Sequence, residues 1–107
     1  MKKHEKNIFI HHVYFWLKNP DSAEDRAKLL EGLEKLSEVE TIRSVHIGKP
    51  ADTRRDVIDS SYSLSWMLTF ENAEDQESYQ VDPIHLDFVK NCSYLWGKVV
   101  VYDAVDA

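Results

Sequence analysis

A chain of 107 residues, 43% hydrophobic and 30% charged, has the size and composition of one globular domain whose core needs no staples. A formal net charge of −6, with no clustered Lys/Arg face and only Lys2-Lys3-His4 as a basic end, excludes nucleic acid as a partner. The single cysteine, Cys92, rules out an intrachain disulfide, and no apolar run suits a membrane span or signal peptide, so a soluble cytoplasmic protein is expected.

The first predicted element is a strand from Ile8 to Leu17, because Ile-Phe-Ile-His-His-Val-Tyr-Phe-Trp-Leu is β-branched and aromatic. Alternation points His11, Val13, Phe15 and Leu17 one way and His12, Tyr14 and Trp16 the other. Both faces are apolar, so both are expected to be covered. Lys18-Asn-Pro-Asp21 reads as a turn, with Asp21 capping a helix and Glu24 completing a capping box. From Ser22 to about Val39, Leu29, Leu30, Leu33 and Leu36 form one apolar stripe among charges, which predicts an amphipathic surface helix.

Thr41 to Ile47 predicts a short strand with Val45 and Ile47 on one face and Ile42, Ser44 and His46 on the other. Gly48 to Ser61 is a polar connection of the length that is often functional or mobile. Its Arg54-Arg55 pair reads as surface ion pairs with Asp52 and Asp56. Tyr62 to Phe70 alternates most clearly, with Tyr62, Leu64, Trp66, Leu68 and Phe70 against Ser63, Ser65, Met67 and Thr69. Asn72, with Asp75 three positions on, opens a short helix ending near Tyr79.

Asp82-Pro83 is a second helix start, since Asp caps free N–H groups and Pro suits the first helical position. The helix runs to about Trp96, and spacings of three and four put His85, Phe88, Val89, Cys92, Leu95 and Trp96 on its apolar face. Lys98 to Asp103 closes the chain as a last strand. The order β-α-β-β-α-β defines an α+β fold of the ferredoxin-like type, an antiparallel sheet with helices on one face. The domain is expected over residues 8–105, after an N-terminal tail over 1–7. Tyr14 and Trp16 then stand on the bare face, where an apolar patch marks an interaction site. A homodimer closing sheet on sheet is the simplest cover.

These residues resemble the stress-responsive A/B barrel domain family, within the dimeric α/β-barrel superfamily, from about Phe9 to Val105. The resemblance is carried by His11-His-Val-Tyr-Phe-Trp-Leu-Lys18, the Tyr62-to-Phe70 strand, Tyr79-x-x-x-Pro83-x-His85-x-x-Phe88 and Val99-Val-Val-Tyr-Asp103. It implies a homodimer whose two sheets make a central barrel. It also implies a likeness to plant polyketide cyclases of the olivetolic acid type, which close a linear chain by aldol condensation. Position by position, their acid–base Tyr and His fall on Tyr79 and His85, and the first-strand pocket histidine on His11. The pocket aromatics fall on Trp66, Phe88 and Trp96, with Val13 and Phe15 from the first strand and Asp82 at the helix start completing the expected lining. Asp82 stands where the family usually has histidine.

The chemistry is sensible on its own terms. A base for a proton next to a carbonyl needs a pKa near the operating pH, as histidine has, and a tyrosine hydroxyl is a suitable donor to the enolate. No Ser–His–Asp set, phosphate loop or Cys pair is present, which excludes the common hydrolase, kinase and dinucleotide classes. Neither metal nor other cofactor is expected: adjacent His11 and His12 point to opposite faces and no metal-ligand spacing stands out, with His85 as a proximal haem ligand the minor alternative. Cys92 reads as a small buried hydrophobe. The expected function is a dimer that binds a small apolar carbonyl compound and catalyses a cyclase- or isomerase-type proton transfer. The alternative is a non-catalytic binding or structural dimer.

Overall fold

A computed structural model describes residues 3–107; Met1 and Lys2, part of the expected tail and basic end, lie outside the described residues. The order is β1 (Phe9–Leu17), α1 (Ala23–Leu36), β2 (Ser44–Gly48), β3 (Leu64–Phe70), α2 (Ala73–Val81), α3 (Pro83–Cys92) and β4 (Trp96–Val105), with a 3-10 turn at Ser93–Leu95. The strands lie in the order β2-β3-β1-β4, and every neighbouring pair is antiparallel. This is the ferredoxin-like α+β arrangement the chain order predicts.

Register fixes the two faces. His11, Val13 and Phe15 of β1 stand opposite Leu68, Trp66 and Leu64 of β3 and opposite Asp103, Val101 and Val99 of β4. That face meets the helices. Leu29, Leu33 and Leu36 of α1, Tyr79 of α2, and Phe88 and Cys92 of α3 seal it. Each fully buried Leu contributes about 1.5–3 kcal/mol of apolar transfer, so this layer carries most of the stability.

Four expectations shift. Ser22, not Asp21, caps α1: its Oγ accepts from the Asp25 N–H at 3.1 Å, because the capping oxygen must sit three residues before the amide it reaches. Ile42 precedes β2 and packs on the core instead of facing away from Val45 and Ile47. Tyr62 leaves the β3 alternation and crosses to the bare face, its ring 4.9 Å from Tyr14. Ser63 is the cause: buried, it accepts from the Leu17 N–H at 3.1 Å and gives its carbonyl to Arg26, so β3 begins only at Leu64. The last helix stops at Cys92, short of Trp96, which instead opens β4 opposite Leu17.

Gly32 lets α1 and α3 approach. A Cβ there would lie 2.6 Å from Cys92 Sγ and 3.3 Å from the Phe88 ring. Gly32→Ala is expected to destabilise the fold in urea melts by about 1–3 kcal/mol of overpacking, outweighing about 1 kcal/mol of helix propensity. Adding Cys92→Ala should recover much of the loss.

Candidate functional site

The site starts at the Asp82-Pro83 corner. A residue before proline is pushed out of helical geometry, and Asp82 is extended at φ −64°, ψ 138°, so α2 ends and α3 begins there. Asp82 Oδ1 accepts from the Ile84 N–H at 2.8 Å, which caps α3. The corner folds the last turn of α2 onto the first turn of α3. Tyr79 and His85 therefore come together, ring centroids 4.7 Å apart. From the sheet below, the His11 ring lies edge-on to Tyr79 at 5.8 Å. The structure thus brings Tyr79, His85 and His11 into one cluster.

Each ring is held differently. His11 is buried and its Nδ1 lies 2.6 Å from Oδ1 of Asp103, directly opposite on β4. Such a carboxylate fixes the tautomer and ring orientation of an imidazole. The Tyr79 hydroxyl accepts from Trp66 Nε1 at 3.1 Å, which leaves its own O–H proton to be donated. Burial pushes the Tyr79 phenol far above its ordinary value, so it stays protonated at any physiological pH. His85 Nδ1 is buried without a hydrogen-bond partner. The Gln80 backbone favours the charged ring from nearby, outside good hydrogen-bond geometry. Burial outweighs it and lowers the His85 pKa, with His11 adding to the lowering and Asp82 opposing it. His85 is thus a neutral imidazole at pH 7.

That shift has a measurable sign. The fold holds His85 neutral more strongly than the unfolded chain does. The stabilisation is complete above the ordinary value of 6.5 and is lost as pH falls through the folded-state value. The Tm is expected to drop between pH 7.5 and pH 5, and His85→Gln should flatten part of that drop. His12, also lowered by burial, leaves a remainder of the same sign.

The expected pocket lining divides in two. Val13, Phe15, Trp66 and Phe88 are at most 7% exposed and pack on one another as core. Trp96 leans on Phe15 and Phe88 at centroid distances of 5.3 and 5.6 Å, with its buried Nε1 unpartnered. Asp82 is occupied as the helix cap. Beside them the helix-side face of β4 is open: Val99 and Val101 are 38% and 47% exposed, in line with Asp103. An apolar strip therefore leads along β4 to the His11–Asp103 pair. Concavities of about 380 Å³ between α1 and α3 and about 370 Å³ on the opposite sheet face do not touch the His11–Tyr79–His85 cluster.

Sequence reasoning missed Asp103 as the partner of His11, and it named Trp66 among the pocket lining without its hydrogen bond to Tyr79. The strand order was the available signal, since it sets β4 beside β1 with Asp103 on the inner face. Cys92 is buried, which raises its thiol pKa. Among the described residues no three His, Cys, Asp or Glu side chains converge on a metal-sized site. No helix among them is long and apolar enough to cross a membrane.

The fold and this cluster define a ferredoxin-like domain with its titratable rings between helix corner and sheet. The model of the Stress responsive A/B Barrel Domain matches residues 9–106, and the chain belongs to that family. A stress-response A/B barrel domain-containing protein of Arabidopsis thaliana is 26% identical over 77 residues, 71% of this chain and 68% of that protein. A dabb family protein of ferredoxin-like fold from Mesorhizobium loti superposes with a TM-score of 0.78 at 20% identity, covering 94% of this chain and 97% of that one. A hydroxynitrile lyase from Passiflora edulis gives 0.77 at 19% identity, covering 96% of each. A protein from Bacteroides fragilis, described as dimeric and ferredoxin-like, gives 0.72 at 15% identity, covering 96% of this chain and all of that one, 100%.

Proposed function

We propose that the protein is a homodimer, closed through the sheet face bearing Tyr14 and Trp16, in which each protomer carries one proton-transfer site. The substrate is a small, mostly apolar carbonyl compound lying on the open strip of β4. The reaction is of the cyclase or isomerase type. The observation that carries this reading is the cluster itself: a protonated phenol and a neutral imidazole in ring contact, beside a second imidazole held by a carboxylate at 2.6 Å. His85 takes the proton next to the carbonyl. Tyr79, with an oxygen lone pair occupied by Trp66, donates to the developing enolate. The His85 imidazolium then returns that proton to the product as the enol proton goes back to the Tyr79 oxygen, while His11, oriented by Asp103, holds the sheet side of the site. The hydroxynitrile lyase and the dimeric protein among the structural neighbours support this class of chemistry and this assembly.

A second reading has its own observation. The tight packing of Val13, Phe15, Trp66 and Phe88 favours a dimer without catalysis, in which the rings serve the core. One experiment separates the two. Small apolar aldehydes and ketones are incubated with protein in deuterated buffer, and label entering the carbon next to the carbonyl is followed by NMR. The wild type is expected to accelerate exchange, and His85→Ala to lose about 10²–10⁴-fold while its circular dichroism stays native. No exchange and no ligand-induced Tm shift, together with an unfolded His85→Ala, would establish the non-catalytic reading.

A further inference from the structure

On the face opposite the helices, one row across the sheet reads His46 on β2, Met67 on β3, His12 on β1 and Tyr102 on β4. The flanking rows are Ser44, Thr69, Ile10, Ala104 on one side and Gly48, Ser65, Tyr14, Val100 on the other. No carboxylate stands in any of the three. We propose that His12 and His46 make the association of two copies acid-sensitive, intact at neutral pH and released on mild acidification. This rests on the sheet-to-sheet dimer proposed above.

The groups facing His12 are few. On its own strand the Tyr14 ring stacks on it at 4.4 Å, and the Tyr14 hydroxyl lies 3.4 Å from Nδ1. β4 presents Tyr102 directly opposite and Lys98 further along, β3 presents only the uncharged Met67, Ser65 and Thr69, and β2 presents His46. The loop before β3 adds Tyr62 and Asp59, which line a concavity with Trp16 and Lys98. His4, Glu5 and Asp106 stand together at the other margin. Through the sheet lies His11. Nothing in the row compensates a proton on either imidazole; Lys98 opposes one, and the carboxylates Asp59, Glu5 and Asp106 stand outside the three rows. Burial already lowers His12, and His46 and then His11 act in the same direction.

A second copy on this face strips more water from both rings. The associated state then holds the imidazoles neutral more strongly than the free protomer does, so protons bind preferentially to protomers. A twofold axis doubles the effect, because each copy brings both histidines. The dimer is favoured above the ordinary histidine pKa and weakens as pH falls through the dimer's own values. One further unit of lowering at a single imidazole corresponds to about a tenfold rise in the dissociation constant below both values.

Sedimentation equilibrium at pH 7.5 and pH 5.5 tests this, with circular dichroism confirming folded protein at each pH. The wild type should show at least about a tenfold higher dissociation constant at pH 5.5. His12→Gln/His46→Gln should remain equally dimeric at both. Should the double variant misfold, His46→Gln alone, at an exposed position, is expected to remove part of the pH dependence. A wild-type constant unchanged with pH, or a folded variant dissociating as the wild type does, overturns the proposal while leaving the dimer in place. A wild type monomeric at pH 7.5 overturns the dimer and the proposal together.

Discussion

Trp16→Glu is expected to turn the assembly into folded monomers. Trp16 sits at one end of the bare-face aromatic patch, edge-on to Tyr62 at 6.4 Å, with Lys98 Nζ 4.6 Å over its ring and Nε1 donating to Ser61. Large aromatics in such positions are the side chains whose truncation costs an interface about 2 kcal/mol or more. In the proposed sheet-to-sheet dimer the substitution occurs twice across the twofold interface, and each glutamate would face the partner's apolar surface without water. The dissociation constant should rise at least about 100-fold, or about 2.7 kcal/mol. The protomer keeps its fold because the helix-side core is untouched and Lys98 is within reach of the new carboxylate. Sedimentation at matched concentrations reads the outcome directly. An unchanged dimer would mean that copies meet through some other surface.

Tyr79→Phe should hurt both stability and turnover. The substitution keeps the ring and its packing against Phe70, centroids 5.4 Å apart, but removes the oxygen that accepts from Trp66. An indole N–H stranded in a side chain only 1% exposed has no water to turn to. The expected cost in urea unfolding is about 1–3 kcal/mol, the penalty of an unsatisfied buried donor. If the phenol also donates to an enolate, exchange at the carbonyl-adjacent carbon should fall by about 10²–10³-fold. Loss of stability with full exchange activity would reduce Tyr79 to a core residue. Loss of exchange with native stability would show that Trp66 finds another partner.

Much of this was legible before any coordinates. Alternation in β1 and β3 revealed which residues face the helices, because a period of two leaves little ambiguity in a half-covered sheet. The Asp82-Pro83 corner was legible because proline acts locally on the residue before it. What escaped was long-range. Asp103 looked like the end of a strand, since nothing local ties it to His11; only the pairing of β1 with β4 brings them together. Tyr62 continued the right alternation, yet Ser63 spends its hydrogen bonds on Leu17 and Arg26 and breaks the strand before it starts. Trp66 read as pocket lining without its hydrogen bond because its N–H partner lies on α2, in a different element.

The strand order also dictates when this site exists. β1 is central, yet its partners are β3 and β4, and the His11–Asp103 contact spans 92 positions. Such non-local pairings must close large loops before any contact is gained, so folding is expected to be slower than in helical bundles, whose contacts are local. During synthesis β1 emerges first, apolar on both sides, and waits for a neighbour that is made last. Until β4 docks, the chain displays an unpaired strand edge and unpaired aromatics, the features that recruit chaperones or seed aggregation. Mutations that slow β4 docking are therefore expected to lower the yield of soluble protein well before they lower the stability of the finished fold.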